Sequence, residues 1–557
     1  MIFMLRYLLL LAFITTPLLI LGQESDDGST LLPDIDPQDI EVRGDFNARF
    51  PGLSRQPILG FNPKPRVFQL DPDRMPYIES EEDARSNISS SNLEQPISPS
   101  RERMHYPEQA QLFGRLGLGN HESPDARFYG ETELSENSVA SGDFNFLSSA
   151  SYLPDELSSF RYFNGRTDWI RRENNSKLQV GLTGRSDFNH AVPGAIDAGN
   201  LDNYRKDYRK LGTHASYRHL NNAYNGWDLK ANYHYFQVED DSPLAFSDEH
   251  YGRMGARYFW DGRRMEEQFS IELKGEGSFY NTFEEHNLSW YITQLNAFYK
   301  RNLLNSNFSA GVDVFHAYDD VDEPISLYIF PNLKFHYTGF QGGEVEFAVK
   351  SFVENSGLEG VHLDNTQLLK NPMIQNEQGL RFTANSQYDL FRGARIFGEL
   401  NYDGYGSYAY YTLDDDGYSL NYDDDTNIFE ATAGLSYDFI PQLLTLYSDV
   451  TWRNSNTSED QPVPFLESFK STASLYSNPI SNLYLRAWTE YRGSRPVNFT
   501  EEEMDGYFLF GAQIDFQITD NFGAYIKGLN LLNQDYEIWQ GYQERPAQVY
   551  GGLTLHF

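Results

Sequence analysis

Cysteine is absent from all 557 residues, so neither a disulfide framework nor thiolate metal ligation is open to this chain. Basic charge is scarce as well. Lys and Arg number 44 against 80 Asp and Glu, a formal net charge of −36, which has the wrong sign for a phosphate backbone and argues against nucleic acid as a partner. After residue 21 no apolar run reaches the roughly 18 residues that a membrane-spanning helix requires, and no helical apolar period recurs. G-x-S-x-G and H-E-x-x-H are missing, and the 12 histidines show no paired spacing. No enzyme and no cofactor is therefore expected. His214, His219, His234 and His316 fall inside strand-like segments, where a lumen-facing or rim position accounts for them.

Aromatics, by contrast, are in excess: 38 Tyr and 40 Phe help bring the aromatic fraction to 15%. They recur in segments of about ten residues with two unlike faces. WDLKANYHY sets Trp227, Leu229, Ala231, Tyr233 and Tyr235 against Asp228, Lys230, Asn232 and His234. IFEATAGLSYDF sets Phe429, Ala431, Ala433, Leu435, Tyr437 and Phe439 against polar or small partners, and YFLFGAQIDFQIT repeats the pattern with Phe508, Phe510, Ala512, Ile514, Phe516 and Ile518. The last stretch, QVYGGLTLHF, alternates to its end, with Val549, Gly551, Leu553, Leu555 and Phe557 on one side.

A soluble sandwich or propeller would also alternate, and connection length separates the two readings. Every second connection is short: 173–176, 221–225, 261–264, 303–306, 338–343, 391–393, 440–442, 478–481 and 519–521. Those between are usually longer, among them 188–207, 278–287, 354–376, 406–426, 455–466 and 531–547. Short turns at one rim and long loops at the other define an outer-membrane barrel, with the short side periplasmic. The expected fold is all-β: a transmembrane antiparallel β-barrel of about 22 strands over residues 106–557, preceded by a proline-rich, largely irregular segment. An even strand number puts both termini in the periplasm of a Gram-negative cell. In a closed barrel the last strand pairs with the first and its apolar face meets lipid, so a chain can finish inside an alternating pattern. Tyr, Trp and Phe then form belts at both interfaces.

Ahead of the barrel, residues 1–23 read as an export signal, with Arg6 before an apolar run from Tyr7 to Leu21 and Gly22 before ESDD. Residues 24–105 are rich in proline and then in polar residues, too poor in apolar side chains to fold alone, and are expected as a periplasmic or lumen-inserted arm, partly disordered. The acidic stretches 318–324, 412–426 and 500–506 lack the alternating spacing of an EF-hand loop. They are expected to be solvated loops whose charge is balanced by cations in the lipopolysaccharide layer.

The final 30 residues, GLNLLNQDYEIWQGYQERPAQVYGGLTLHF, resemble the ending of TonB-dependent receptors. Asn530, Leu531, Leu532, Asn533 and Tyr536 match the family's Asn-Leu-Phe-Asn-x-x-Tyr element, followed by an aromatic loop with Gly541 and Tyr542, an Arg/Pro pair and a final strand ending in Phe. The resemblance implies a 22-strand barrel, and Phe557 resembles the terminal aromatic that the barrel-assembly machinery reads. Within QDIEVRGDF, Ile40, Glu41 and Val42 resemble a TonB box, which implies TonB as a partner. Members of the family carry a domain-sized N-terminal plug, and the proline-rich zone here is too short and too poor in strands to be one. Two functions follow. One is uptake of a solute across the outer membrane; the other is a plugless barrel acting as a scaffold for surface lipoproteins or an envelope assembly complex. Outer-membrane lipid and lipopolysaccharide are partners in either case.

Overall fold

The computed structural model describes residues 112–557, apart from 153–157, 192–203, 223, 241–245, 263–266, 283–286, 322–325, 341, 369–371, 415–416, 442 and 501. The expected export signal, the proline-rich arm and the TonB-box-like stretch lie outside the described residues.

The alternating segments become strands, each hydrogen-bonded antiparallel to its sequence neighbour. The first, Leu112–Gly119, pairs on one edge with Ser123–Ser135 and on the other with the last, Gln548–His556, in a register running from Phe113 opposite His556 to Gly119 opposite Tyr550. That pairing closes the sheet into a ring whose described wall strands have no open edge. The main sheet has 23 strands. One of them, Gly417–Asp423, pairs only with the far half of the long strand Ala394–Asp414, while the near half of that strand pairs with Asn427–Ile440. It forms a hairpin standing beyond the wall, and the closed wall itself has 22 strands, in agreement with the count from the sequence.

The closing seam depends on two glycines. Gly117 lies opposite Gly552, and a Cβ at Gly117 would fall 1.9 Å from the Tyr525 hydroxyl, one at Gly552 2.2 Å from the Leu116 carbonyl oxygen. Their bare backbones leave a slot for the Tyr525 ring, over which Arg115 stacks 3.7 Å from the centroid.

At one rim consecutive strands follow one another within five residues, as between Ser135 and Ser138, Glu173 and Ser176, Asn302 and Ser306, Phe391 and Ala394, Ile480 and Leu483, and Thr519 and Phe522. The other carries the longer connections, including 150–159, 355–376, 457–468, 493–506 and 530–547. Leu112 and Phe557 exchange backbone hydrogen bonds of 2.9 Å at the short-turn rim, where His556 N also donates to Asn521 O.

Outward faces are apolar, as the alternation requires. Val450, Leu553, Ile526 and Ile514 are all exposed on the barrel exterior. Two aromatic levels bracket this surface: Phe429 against Trp452 toward the long-loop rim, and Tyr437 with Phe439 and Phe391 toward the short-turn rim. Ten residues separate Phe429 from Phe439, about 33 Å along a strand. At a tilt near 40° that leaves roughly 25 Å of height, the thickness of a bilayer's apolar band in such barrels. Among the described residues no helix is long and apolar enough to cross a membrane.

Candidate functional site: the barrel lumen and its mouth

The inward faces change character along the strands. On Leu288–Asn302 the inward series begins Leu288, Trp290, Ile292 at the long-loop end and continues Gln294, Asn296 toward the short turns. Asp313, fully buried on the neighbouring strand, accepts hydrogen bonds from Gln294 (2.9 Å), Asn296 (2.6 Å) and Asn332 (3.0 Å). Three amide donors satisfy the carboxylate in place of water.

Toward the short turns the lumen holds a cavity of about 670 Å³, lined by side chains of the first, last and middle strands. Its walls carry Arg115, Arg395 and Arg486 against Glu344, Glu346, Glu399, Asp438 and Asp515. Lys334 lies 2.7 Å from Glu346, His336 lies 3.3 Å from Glu344, and Gln387 also donates to Glu344. Rings line it too: Phe397 stacks on Tyr447 at 5.4 Å, and Arg486 lies over Tyr476. Carboxylates outnumber guanidinium groups on this surface, so an anion meets net repulsion here and a cationic or neutral polar solute does not.

At the long-loop end the lumen is a hydrophobic core. Tyr208, Phe236, Trp290, Ile292 and Phe315 from the wall pack with Leu358, Val361, Leu363, Leu368 and Ile374 of loop 355–376, with Tyr411 and Tyr418 of the hairpin, and with Trp539 of loop 530–547. Trp539 meets Tyr411 and Tyr418 edge-on at 5.3 Å and Phe465 at 5.2 Å. Arg495, 2% exposed, donates to the carbonyls of Glu537 and Ile538 and so ties loop 493–506 to loop 530–547.

Loop 355–376 carries a short helix, Gly357–Asp364, which a reading for long helical periods passes over. Gly357 begins it with φ +62, a conformation glycine adopts without penalty. Glu249 on the wall accepts from Glu359 N (3.1 Å) and from Ser278 Oγ (2.7 Å), occupying a first-turn amide otherwise without a partner. Lys210 Nζ donates to both Glu359 carboxylate oxygens (2.9 and 2.7 Å), and His234 Nε2 lies 3.1 Å from one of them. Lys206 Nζ donates to the carbonyls of Thr366 (3.2 Å) and Leu368 (2.5 Å). Burial pushes the Glu359 carboxyl up, but Lys210 and His234 outweigh it and hold the group below its ordinary value. Burial, and then Lys206, pushes the His362 imidazole well down, so it stays neutral. Burial raises Asp364 to about 6, against the hydrogen bond from Tyr411.

The resemblance motif lies in the last loop. Asn530 and Asn533 both have positive φ, 45 and 52. The Asn530 amide nitrogen donates to the carbonyls of Gln534 (2.9 Å) and Arg545 (3.0 Å), while its oxygen accepts from Gln534 N (3.0 Å). Asn533 Oδ1 accepts from Ala547 N (2.8 Å). Leu531 N donates to Phe510 O, and Tyr536 packs on Tyr507 at 4.8 Å. Asparagine tolerates the left-handed region and offers both a donor and an acceptor. In this chain the motif thus staples loop 530–547 shut rather than facing the cavity. Phe557 is exposed at the short-turn rim. His214 faces inward and binds Asp168 at 2.6 Å. Among the described residues no group of three His, Cys, Asp or Glu side chains is placed to hold a metal ion.

No protein-family model matches the sequence, and no curated protein does. Solved structures do match. The ferric-catecholate import receptor Fiu from E. coli K12 superimposes with a TM-score of 0.60 at 10% identity, over 81% of this chain and 82% of that one. The copper transporter OprC gives 0.63 at 8% identity, covering 81% of each chain. The FrpB iron transporter from Neisseria meningitidis gives 0.63 at 10% identity, over 80% of this chain and 81% of its own. The chain therefore has the 22-strand barrel fold of the TonB-dependent receptors. These structural neighbours are transport receptors rather than enzymes.

Proposed function

We propose that this chain is an outer-membrane uptake conduit that admits a polar solute through the barrel lumen, with its long loops at the cell surface and both termini in the periplasm. The observation that carries the reading is the polar, aromatic-lined cavity in the short-turn half of a barrel whose fold is shared with import receptors. Those neighbours carry iron and copper, and it is their transport role, not their cargo, that bears on this chain. The excess of carboxylates in the cavity favours a neutral or cationic solute over an anionic one. The stretch Ile40, Glu41, Val42 would supply the contact with TonB, and Phe557 the signal to the barrel-assembly machinery. Lipopolysaccharide would surround the acidic loops.

The test is conductance in a planar bilayer, comparing the chain from residue 24 with a version lacking residues 24–105. A pore after deletion, or entry of a polar solute into cells that depends on the chain, supports the conduit. Silence from both forms, together with no solute entry into cells, abandons uptake in favour of a surface scaffold.

A further inference from the structure

We infer that segment 355–368 is a gate across the mouth of the bore, locked shut by an ion latch on strands well round the wall from its origin. This rests on the uptake reading for its purpose but not for its geometry. The segment leaves strand Gly343–Glu354 at the long-loop rim and folds into the barrel instead of standing above it. Its helix lies against the inner faces of Asn225–Asp240 and Phe246–Asp261, and its side chains pair with Tyr204–Asn222. These strands are five to seven places away round the ring. From another side Tyr411 Oη, on Ala394–Asp414, donates to Val361 O at 3.2 Å. An element that leaves the wall at Glu354, is held by strands five to seven places away and is capped by Tyr411 of the hairpin spans that part of the mouth instead of following the rim.

The grip on these strands is ionic. Lys210 holds Glu359, with the His234 ring beside it, Lys206 holds the carbonyls of Thr366 and Leu368, and Glu249 holds the first helical turn. Leu358, Val361 and Leu363 beside them are buried and apolar. Apolar side chains in the places of Lys210 and Glu359 would hold a permanently seated loop at least as well, because burying ions costs desolvation that their attraction only partly returns. A buried ion pair suits a contact that must separate and re-form, since both partners are rehydrated when it opens. The gate therefore opens by parting Glu359 from Lys210 and the Lys206 ammonium from its carbonyls, admitting a solute to the cavity beneath.

The absence of native cysteine makes the test clean. Ser436, which lines the cavity, is replaced in a Ser436→Cys chain expressed in cells, and a maleimide too large for general porins is added outside. The parent should label slowly. Glu359→Gln and Lys210→Met should each label roughly tenfold faster or more, because removing one partner strands the other in a dry site. The exchanged pair Lys210→Glu with Glu359→Lys should return to the slow rate. Heat-dependent gel mobility checks folding; if Lys210→Met fails it, the isosteric Glu359→Gln decides alone. Equal rates in parent and latch variants, or fast labelling of the parent, overturn the gate. Fast labelling of the variants without solute import keeps the gate and removes the uptake reading; equal labelling with import does the reverse.

Discussion

The two halves of the lumen are built from the same strands yet obey opposite rules. On Tyr507–Thr519 the outward series Phe508, Phe510, Ile514, Phe516 is apolar from end to end, because lipid is the same solvent at every height. The inward series starts Tyr507, Leu509 and ends Gln513, Asp515, Gln517. Near the long loops the inner wall meets folded chain and is apolar; near the short turns it borders a water-accessible cavity and is polar. Outward identity thus reports the membrane, and inward identity reports what fills the bore at that level. The mouth half behaves as a small soluble core enclosed by a membrane protein, and its stability should follow soluble-core arithmetic.

The sharpest way to break that comparison is to remove the centre of the mouth core. Trp539 touches Tyr411, Tyr418 and Phe465, and Trp539→Ala should cost about 3–5 kcal/mol as a buried large-to-small change. Loss of near-ultraviolet circular dichroism and faster proteolysis of the long loops would register it, with the barrel still resistant to detergent. Tyr447→Ala in the cavity wall should leave loop proteolysis unchanged. If the two variants behave alike, the halves are not energetically distinct.

A second comparison sets the two faces of one strand pair against each other. Val450 lies opposite Ala433 on the outer face, between the two aromatic levels. Val450→Arg there should cost about 2–4 kcal/mol, the penalty of a cation near the bilayer midplane. Thr451→Arg, one residue on and facing inward, should cost under about 1 kcal/mol because lumen substitutions stay hydrated. Reversible denaturant unfolding from vesicles measures both. Equal costs would mean that the inner face at this height is dry.

How much of this was legible in advance follows from the same contrast. Alternation against lipid is a local rule, so Phe429 to Phe439 and the turns between strands could be read directly, and with them the strand number. Cross-lumen packing is not local. Nothing in SGLEGVHLDNTQ says that Glu359 will meet Lys210 from a distant strand, although Leu358, Val361, Leu363 and Leu368 are an unusual apolar content for a loop expected only to be long. A further signal went unused: the inward series of strands such as Leu288–Asn302 is apolar at one end only, Leu288, Trp290 and Ile292 giving way to Gln294 and Asn296. That marks inward contact with protein.

The ending motif is an intermediate case, recognised by resemblance and explained only by geometry. Asn530 satisfies three backbone groups of its loop. Asn530→Ala should therefore cost about 1–3 kcal/mol, leaving buried donors and acceptors unpaired at a positive φ. Asn530→Gly, which relieves the backbone but restores no bond, should recover only part of the loss. Full recovery by glycine would assign the motif to backbone conformation alone.

The finest distinction within the mouth is electrostatic. Burial raises the Glu544 carboxyl to about 7, against the pull of Arg545 and Arg495. Its neighbours Tyr542 and Tyr152 are raised as well, so neither ionises near neutrality. A folded value above the unfolded one means that the protonated form is favoured by folding. This contribution is complete below the ordinary carboxylate range, declines as pH rises and is spent once pH passes about 7. Between pH 6 and 8 the loop should lose about 1 kcal/mol of local stability. Amide exchange in residues 530–547, corrected for intrinsic rate, should quicken by several-fold across that interval. Glu544→Gln, neutral at every pH, should abolish the change while leaving exchange in the strands as it was. A pH response that survives Glu544→Gln would move the titrating group elsewhere in the mouth, and Asp364, raised to about 6 in the gate segment, is the next carboxyl to replace.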